Sequence, residues 1–333
     1  MSSARHPLAA LTLAAAALAA LLLTAPEASA QGLLSTAELG RRGPEQVQTT
    51  DRRWTDRARR RAVPVRIYAP RVRPGVKRPL LVFSHGLGGS HEGYAFFGEH
   101  LASDGFVVIH PTHKGSDAAV ARRGGLKALI RAGADPKNRS ARPKDVSFVI
   151  DQVRRLRSRE PLLRQVDMKR IGVAGHSFGA YTALAVVGQT IRAGRRTLRF
   201  TDPRVRCALA MSPQAPGTLG LTAQSWSRIR VPVFTLTGTL DTGLGTSKVE
   251  DRRVAFESMP RGQKFHLTIK DAEHSAFGDS AWASRDPRHH GWILAAATGF
   301  FRAQLQGSRP AQRWLKSSRL QRDTLGEVKQ ERR

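Results

Sequence analysis

The chain has 333 residues, 40% of them apolar, and a formal net charge of +29. That length leaves room for a sizeable core in one or two domains, and no period of about 20 to 50 residues is evident along it, which disfavours a solenoid or propeller. The charge sets up a positive field that draws anionic polymers, cell-wall material or membrane surfaces; but the arginines are spread along the chain, aromatics make up only 6%, and no zinc-finger, homeodomain or RNP-type motif is present, so specific nucleic-acid binding is not expected.

The N-terminus reads as a processing segment. Arg5 and His6 lead into the apolar run PLAALTLAAAALAALLLTAP, and Ala28-Ser29-Ala30 has the small-x-small form that signal peptidases cleave after. This predicts a signal peptide over residues 1–30, cleavage near Ala30, and a periplasmic or extracellular protein. An uncleaved anchor is the alternative. No cysteine stands near the cleavage site, which disfavours a lipid anchor, and no later stretch is apolar enough to span a bilayer.

Residues 31–44 are polar and read as a flexible lead-in. Two β-prone runs, around 47–54 and 62–69, flank a charged turn and predict a hairpin. RPLLVFSH (78–85) and FVVIHP (106–111) are compact apolar runs typical of buried strands, and the segment 91–105 between them places Tyr94, Phe97 and Leu101 at helical spacing. The basic, glycine-containing stretch 114–141 is read as an insertion or flap. Beyond it, a helix over 142–158, strands at 169–176, 205–213, 231–238 and 264–270, and helices after Ser177 and over 249–259 and 291–305 complete the pattern. Short apolar runs alternating with helices predict an α/β fold: a mostly parallel central sheet with an antiparallel N-terminal edge and helices on both faces. With no obvious linker inside it, 45–306 is taken as one catalytic domain, and 307–333 as a charged, basic C-terminal tail that is frayed or disordered.

Within IGVAGHSFGA, Gly175-His176-Ser177-Phe178-Gly179 matches G-x-S-x-G at a predicted strand-to-helix junction. A turn this sharp strains the central residue and needs small neighbours. It projects the serine hydroxyl above the sheet and sets the Phe178 N–H at a helix N-terminus, where unpaired donors favour an oxyanion. The bland alternative is a chance pentapeptide. A serine needs a base, and the base needs an orienting carboxylate. Both follow in the order serine, acid, histidine: Asp241 in TGTLDTG after one strand, His274 in DAEHSAFGD after the next. Asp271 and Asp279 share the loop of His274 and fit less well; His266 reads as structural, and His289 and His290 as solvated. The second oxyanion donor is expected from VFSHGLGGS, with Leu87 N–H preferred and Gly86 or Gly88 as neighbours; a plain glycine-rich turn is the alternative. His176, Trp226 and Phe277 are candidate pocket residues, though aromatics so placed also simply fill space. Cys207, the single cysteine, cannot form an internal disulfide and reads as a buried core residue.

VFSHGLGGSHEGY, GHSFGA and HPTHKGSD resemble the predicted dienelactone hydrolases of the α/β-hydrolase family, bacterial relatives of platelet-activating factor acetylhydrolase. Polyester-cleaving cutinase-like enzymes are similar in outline. The resemblance spans roughly 45–305 and implies ester hydrolysis through an acyl-serine, with no metal or organic cofactor. It departs in two places. True dienelactone hydrolases use cysteine where this chain has Ser177. In the acetylhydrolase the acid follows the strand after the nucleophile helix, where this chain reads MSPQAPG without a carboxylate, so Asp241 fits the cutinase-like placement. His110, His113 and Asp117 in HPTHKGSD suggest a metal site, but a polar loop capping its strand is the preferred reading. The sequence thus predicts an exported serine ester hydrolase using Ser177, His274 and Asp241, with an ester substrate whose acyl group is not specified. Its rivals are a non-catalytic binder of anionic polymers and an acyltransferase using the same triad.

Overall fold

The computed structural model describes residues 34–243, 248–279 and 286–333, all within one compact unit, Leu34–Arg333. The expected signal peptide lies outside these residues. Among them no helix is long and apolar enough to cross a membrane.

The described part of the lead-in is docked. Helix α1 (Thr36–Gly40) starts in a capping box: Ser35 Oγ accepts from the Glu38 N–H, and the Glu38 carboxylate accepts from the Ser35 N–H at 2.6 Å. Leu39 is fully buried. The expected hairpin follows, with β1 (Val47–Asp56) and β2 (Arg61–Pro70) paired antiparallel from Val47↔Pro70 to Asp56↔Arg61. Strand β1 is an edge, and its exposed arginines and the cross-strand Arg66–Asp51 ion pair (2.7 Å) discourage pairing with another chain.

Strand β3 (Arg78–Ser84) is buried throughout. Its alternation divides the interior: Leu80 and Val82 face one core, Leu81 and Phe83 the other. Helix α2 (Ala95–Ser103) supplies Phe97 and Leu101 to the second core, and β4 (Val107–Pro111) follows. Where a flap was expected, the chain forms helix α3 (Ala118–Ala134), broken at Gly124 and at Gly125, whose φ of 58° only glycine adopts freely. Helix α4 (Pro136–Leu156) begins at once after Asp135, which caps it by accepting from Lys137 N–H at 2.8 Å. The helix starts before the expected 142–158 and runs through Pro143, which is buried.

Strand β5 (Val166–His176), helix α5 (Phe178–Ala185), a small β6–β7 hairpin (Ile191–Ala193, Arg196–Leu198), β8 (Val205–Met211), β9 (Val233–Leu240), α6 (Val254–Ser258), β10 (Lys264–Glu273) and α7 (Pro287–Leu305) follow. Helices α4 and α5 fill the first core; α2 and α7 fill the second. The segment 307–333, expected as a frayed tail, is folded: α8 (Arg309–Lys316) buries Trp314, α9 (Arg319–Asp323) buries Leu320, and β11 (Val328–Arg332) pairs antiparallel with β10. Its apolar anchors are few among basic residues, but Ala311, Trp314 and Leu315 fall at helical spacing and form the buried face of α8.

The large sheet has the order β1-β2-β4-β3-β5-β8-β9-β10-β11, parallel from β4 to β10. Registers such as Ser84↔Gly175, His176↔Met211 and Glu273↔Leu240 bring the carboxyl ends of β3, β5, β8, β9 and β10 to one edge. Every loop that carries a candidate site residue leaves the sheet there, as open parallel sheets favour.

Candidate active site

Ser177 stands alone between β5 and α5 with φ 55° and ψ −119°. A non-glycine residue with positive φ is strained, and such strain clusters at functional positions. The turn closes only because its flanks lack side chains: a Cβ on Gly179 would lie 1.8 Å from the Ser84 carbonyl oxygen, and one on Gly175 would lie 2.3 Å from the Gly179 oxygen. Replacing either with alanine forces strand and helix apart.

The Ser177 hydroxyl lies 2.9 Å from His274 Nε2, and His274 Nδ1 lies 2.7 Å from Asp241 Oδ1. A carboxylate only accepts, so Nδ1 carries the proton and Nε2 is left to accept from the serine. Asp241 is fully buried, and its second oxygen accepts from Thr237 Oγ1 at 2.8 Å. Burial pushes this carboxyl up, but the His274 hydrogen bond and the Arg252 charge outweigh it and hold the group below the usual aspartate range. Asp241 therefore stays ionised, as an orienting group must.

Arg252 escaped the sequence reading. It is almost fully buried, 3.3 Å from Asp241 Oδ1; it donates to the Asp241 carbonyl at 3.2 Å and to the Ser212 and Pro213 carbonyls at 3.2 and 3.0 Å. One guanidinium thereby ties the loop after β8 to the loop after β9. In VEDRRV it is one arginine of two, and no local signal separates it from Arg253, which points to Glu257 and Glu331 instead.

In the loop after β3, Gly88 N–H donates to the Ser116 carbonyl at 2.9 Å and Gly86 N–H to Tyr94 Oη at 3.3 Å. With both neighbours engaged, Leu87 N–H is the candidate donor of that stretch. Phe178 N–H is the first amide of α5 and has no partner within its own helix. Tyr94, another residue missed, also bonds His176 Nδ1 at 2.8 Å. The His176 ring centroid lies 4.7 Å from that of His274, and burial lowers His176 well below the usual histidine range, so its ring is neutral.

Ser177 and His274 open into a cavity of about 1210 Å³ that Leu87, Ile130, His176, Leu219, Leu240 and Val249 help to line. Two expected pocket residues are not there. Trp226 is fully buried in the first core, where its indole N–H donates to Gln189 Oε1 at 2.8 Å. Phe277 is fully buried in the second core, stacked behind His176 at 6.0 Å. Each lies close to a site loop in sequence, but a large ring gains more from the dry interior than from the cavity wall. Asp279 accepts from Tyr94 N–H and Asp271 is exposed, so neither meets His274. His289 is buried rather than solvated, and His290 stacks on Phe96 at 3.9 Å. Cys207 is buried in β8, and burial pushes its thiol up. Among the described residues no group of three or more His, Cys, Asp or Glu side chains is placed to hold a metal ion.

The nine-stranded sheet, the strained serine turn and the loops gathered at one edge are those of the α/β-hydrolase fold. The sequence comparisons agree. Residues 52–125 match the family model of platelet-activating factor acetylhydrolase, isoform II. The chain is similar to the platelet-activating factor acetylhydrolase of Cavia porcellus, 24% identical over 250 residues that cover 67% of this chain and 53% of that protein. It is likewise 24% identical over 239 residues to the enzyme of Canis lupus familiaris, covering 62% and 50%, and over 244 residues to that of Bos taurus, covering 64% and 51%. The chain spans about half the length of the curated relatives it matches. The chain has the α/β-hydrolase fold, and in sequence it resembles the platelet-activating factor acetylhydrolases.

Proposed function

We propose that the chain is an exported serine hydrolase that cleaves carboxylic esters, with Ser177 as nucleophile, His274 as base and Asp241 as the acid that orients it. One observation carries the reading: the unbroken chain from Ser177 Oγ to His274 (2.9 Å) to a buried, ionised Asp241 (2.7 Å), facing a cavity. In this reading His274 Nε2 takes the hydroxyl proton as Ser177 Oγ attacks the carbonyl carbon. Leu87 and Phe178 N–H donate to the developing oxyanion, and Asp241 stabilises the imidazolium. His274 then protonates the departing alkoxide, leaving an acyl-serine. Water attacks the acyl carbon, His274 again accepts the proton, and the acid is released as Ser177 recovers its own.

The relatives are acetylhydrolases by name, and the cavity has many apolar residues in its wall. We therefore propose a short acyl group on an amphiphilic alcohol as the substrate class. Export rests on the signal-peptide pattern that ends at Ala30. The test is turnover of p-nitrophenyl esters from acetyl to long chains, together with labelling by a fluorophosphonate. Short-chain turnover and labelling confined to Ser177 are expected. Labelling that persists in Ser177→Ala, or a protein that neither labels nor turns over any ester, removes the reading.

A further inference from the structure

Arg142, in α4, is fully buried. Its Nε donates to Thr182 Oγ1 at 2.9 Å, one terminal nitrogen to Ser116 Oγ at 2.9 Å, and the other to Ser84 Oγ at 3.1 Å and to the His85 carbonyl. The guanidinium carbon also lies 4.5 Å from the centroid of the Phe178 ring. These partners belong to the two halves of the proposed oxyanion hole. The His85 carbonyl begins the loop that carries Leu87 N–H. Ser116 holds the far side of that loop, because its carbonyl accepts the Gly88 N–H. Thr182 and Phe178 sit on α5, whose first amide is the other donor.

A rigid fork of donors suits this task, since each bond fixes the direction of the next. The fork is itself held. Ser84 Oγ lies 2.9 Å from His113 Nε2, His113 Nδ1 lies 3.0 Å from Asp145 Oδ2, and Arg59 and Arg61 each reach Asp145 at 2.8 Å. Burial, helped by the Arg142 charge and opposed by Asp145, lowers His113 to about 4. The neutral ring donates from Nδ1 to the carboxylate and accepts from the Ser84 hydroxyl, which leaves a Ser84 lone pair for Arg142.

We propose that Arg142 is a positioning residue for ester cleavage: it locks the loop after β3 to helix α5 and so sets the spacing of the Leu87 and Phe178 N–H groups. This inference rests on the ester-hydrolase reading above. Arg142→Lys loses the fork of donors. With p-nitrophenyl acetate, kcat per folded molecule is expected to fall about 100-fold with KM within about threefold, because misplaced donors weaken the transition state more than the ground state. Affinity for a trifluoromethyl ketone, whose adduct with Ser177 carries an oxyanion, falls in proportion. A purely structural role lowers Tm and leaves the kcat of the folded enzyme within twofold, and that result overturns the proposal, as does a loss confined to KM. If Arg142→Lys does not fold, the double variant Ser116→Ala, Thr182→Val decides. It removes two of the bonds and is expected to lower kcat about 3- to 10-fold; an unchanged kcat overturns the proposal. A wild-type protein that neither labels nor turns over ester removes the ester reading and this inference with it. An active wild type with undiminished variants removes the inference alone.

Discussion

The molecule holds two chains of serine, histidine and aspartate with nearly the same hydrogen-bond lengths. Ser177–His274–Asp241 spans 2.9 and 2.7 Å; Ser84–His113–Asp145 spans 2.9 and 3.0 Å. Their surroundings differ. Ser84 ends a buried strand, accepts a hydrogen bond from Arg142 and does not line the cavity that Ser177 opens into, and its histidine is fully buried. Ser177 sits at φ 55° on a turn, at the head of a helix, and faces open space with His274. The hydrogen-bonded series alone is therefore not what makes a nucleophile. Access, a strained turn that presents the hydroxyl, and unpaired N–H groups beside it distinguish the two, and the sealed chain serves as scaffold for the open one.

Matched substitutions break or sharpen this contrast. Ser177→Ala is expected to lower kcat/KM for a p-nitrophenyl ester by about 10⁴-fold or more. Ser84→Ala should cost less than about tenfold, because it loosens Arg142 without touching the substrate; equal losses in the two variants would erase the distinction. Asp241→Asn should lower kcat by about 10³- to 10⁴-fold, since the amide favours the wrong imidazole tautomer. Asp145→Asn should instead appear in denaturant unfolding, as a loss of about 3 kcal/mol, because Arg61 and His113 lose a buried partner.

The buried histidines also make stability depend on pH. Burial lowers His113 to about 4 and His110 and His266 to about 3. An unfolded histidine titrates near 6.5, so as pH falls below that value the unfolded chain binds protons that the folded chain refuses. Stability therefore rises with pH over this window: the unfolding free energy should fall steadily from about pH 6.5 to pH 4, by up to about 1.4 kcal/mol per pH unit for each group, and Tm should fall with it. Asp145 adds to the loss only lower down: burial opposes it, but His113 and Arg61 hold it at about 2, so its contribution is present above about pH 4 and disappears as pH approaches 2. A Tm that stays flat between pH 7 and 4 contradicts this account. The smallest effect is expected at Cys207, where burial raises the thiol pKa and blocks access: iodoacetamide should leave ester turnover unchanged.

From the amino-acid order alone one could read the alternation of strands and helices, the serine turn at 175–179 and the glycine loop at 86–89, along with the loops bearing Asp241 and His274. These are legible because their causes are local: apolar period, the bulk of a Cβ at a sharp turn, and the habit of open sheets to gather loops at their carboxyl ends. Only the tertiary structure decided that Arg252 rather than Arg253 sits against Asp241, that Arg142 spans two loops, that Trp226 and Phe277 turn inward, and that residues 328–332 extend the sheet. Each of these depends on partners far apart in the chain, and a side chain's choice among burial, ion pairing and solvent is settled by neighbours that exist only once the sheet is assembled.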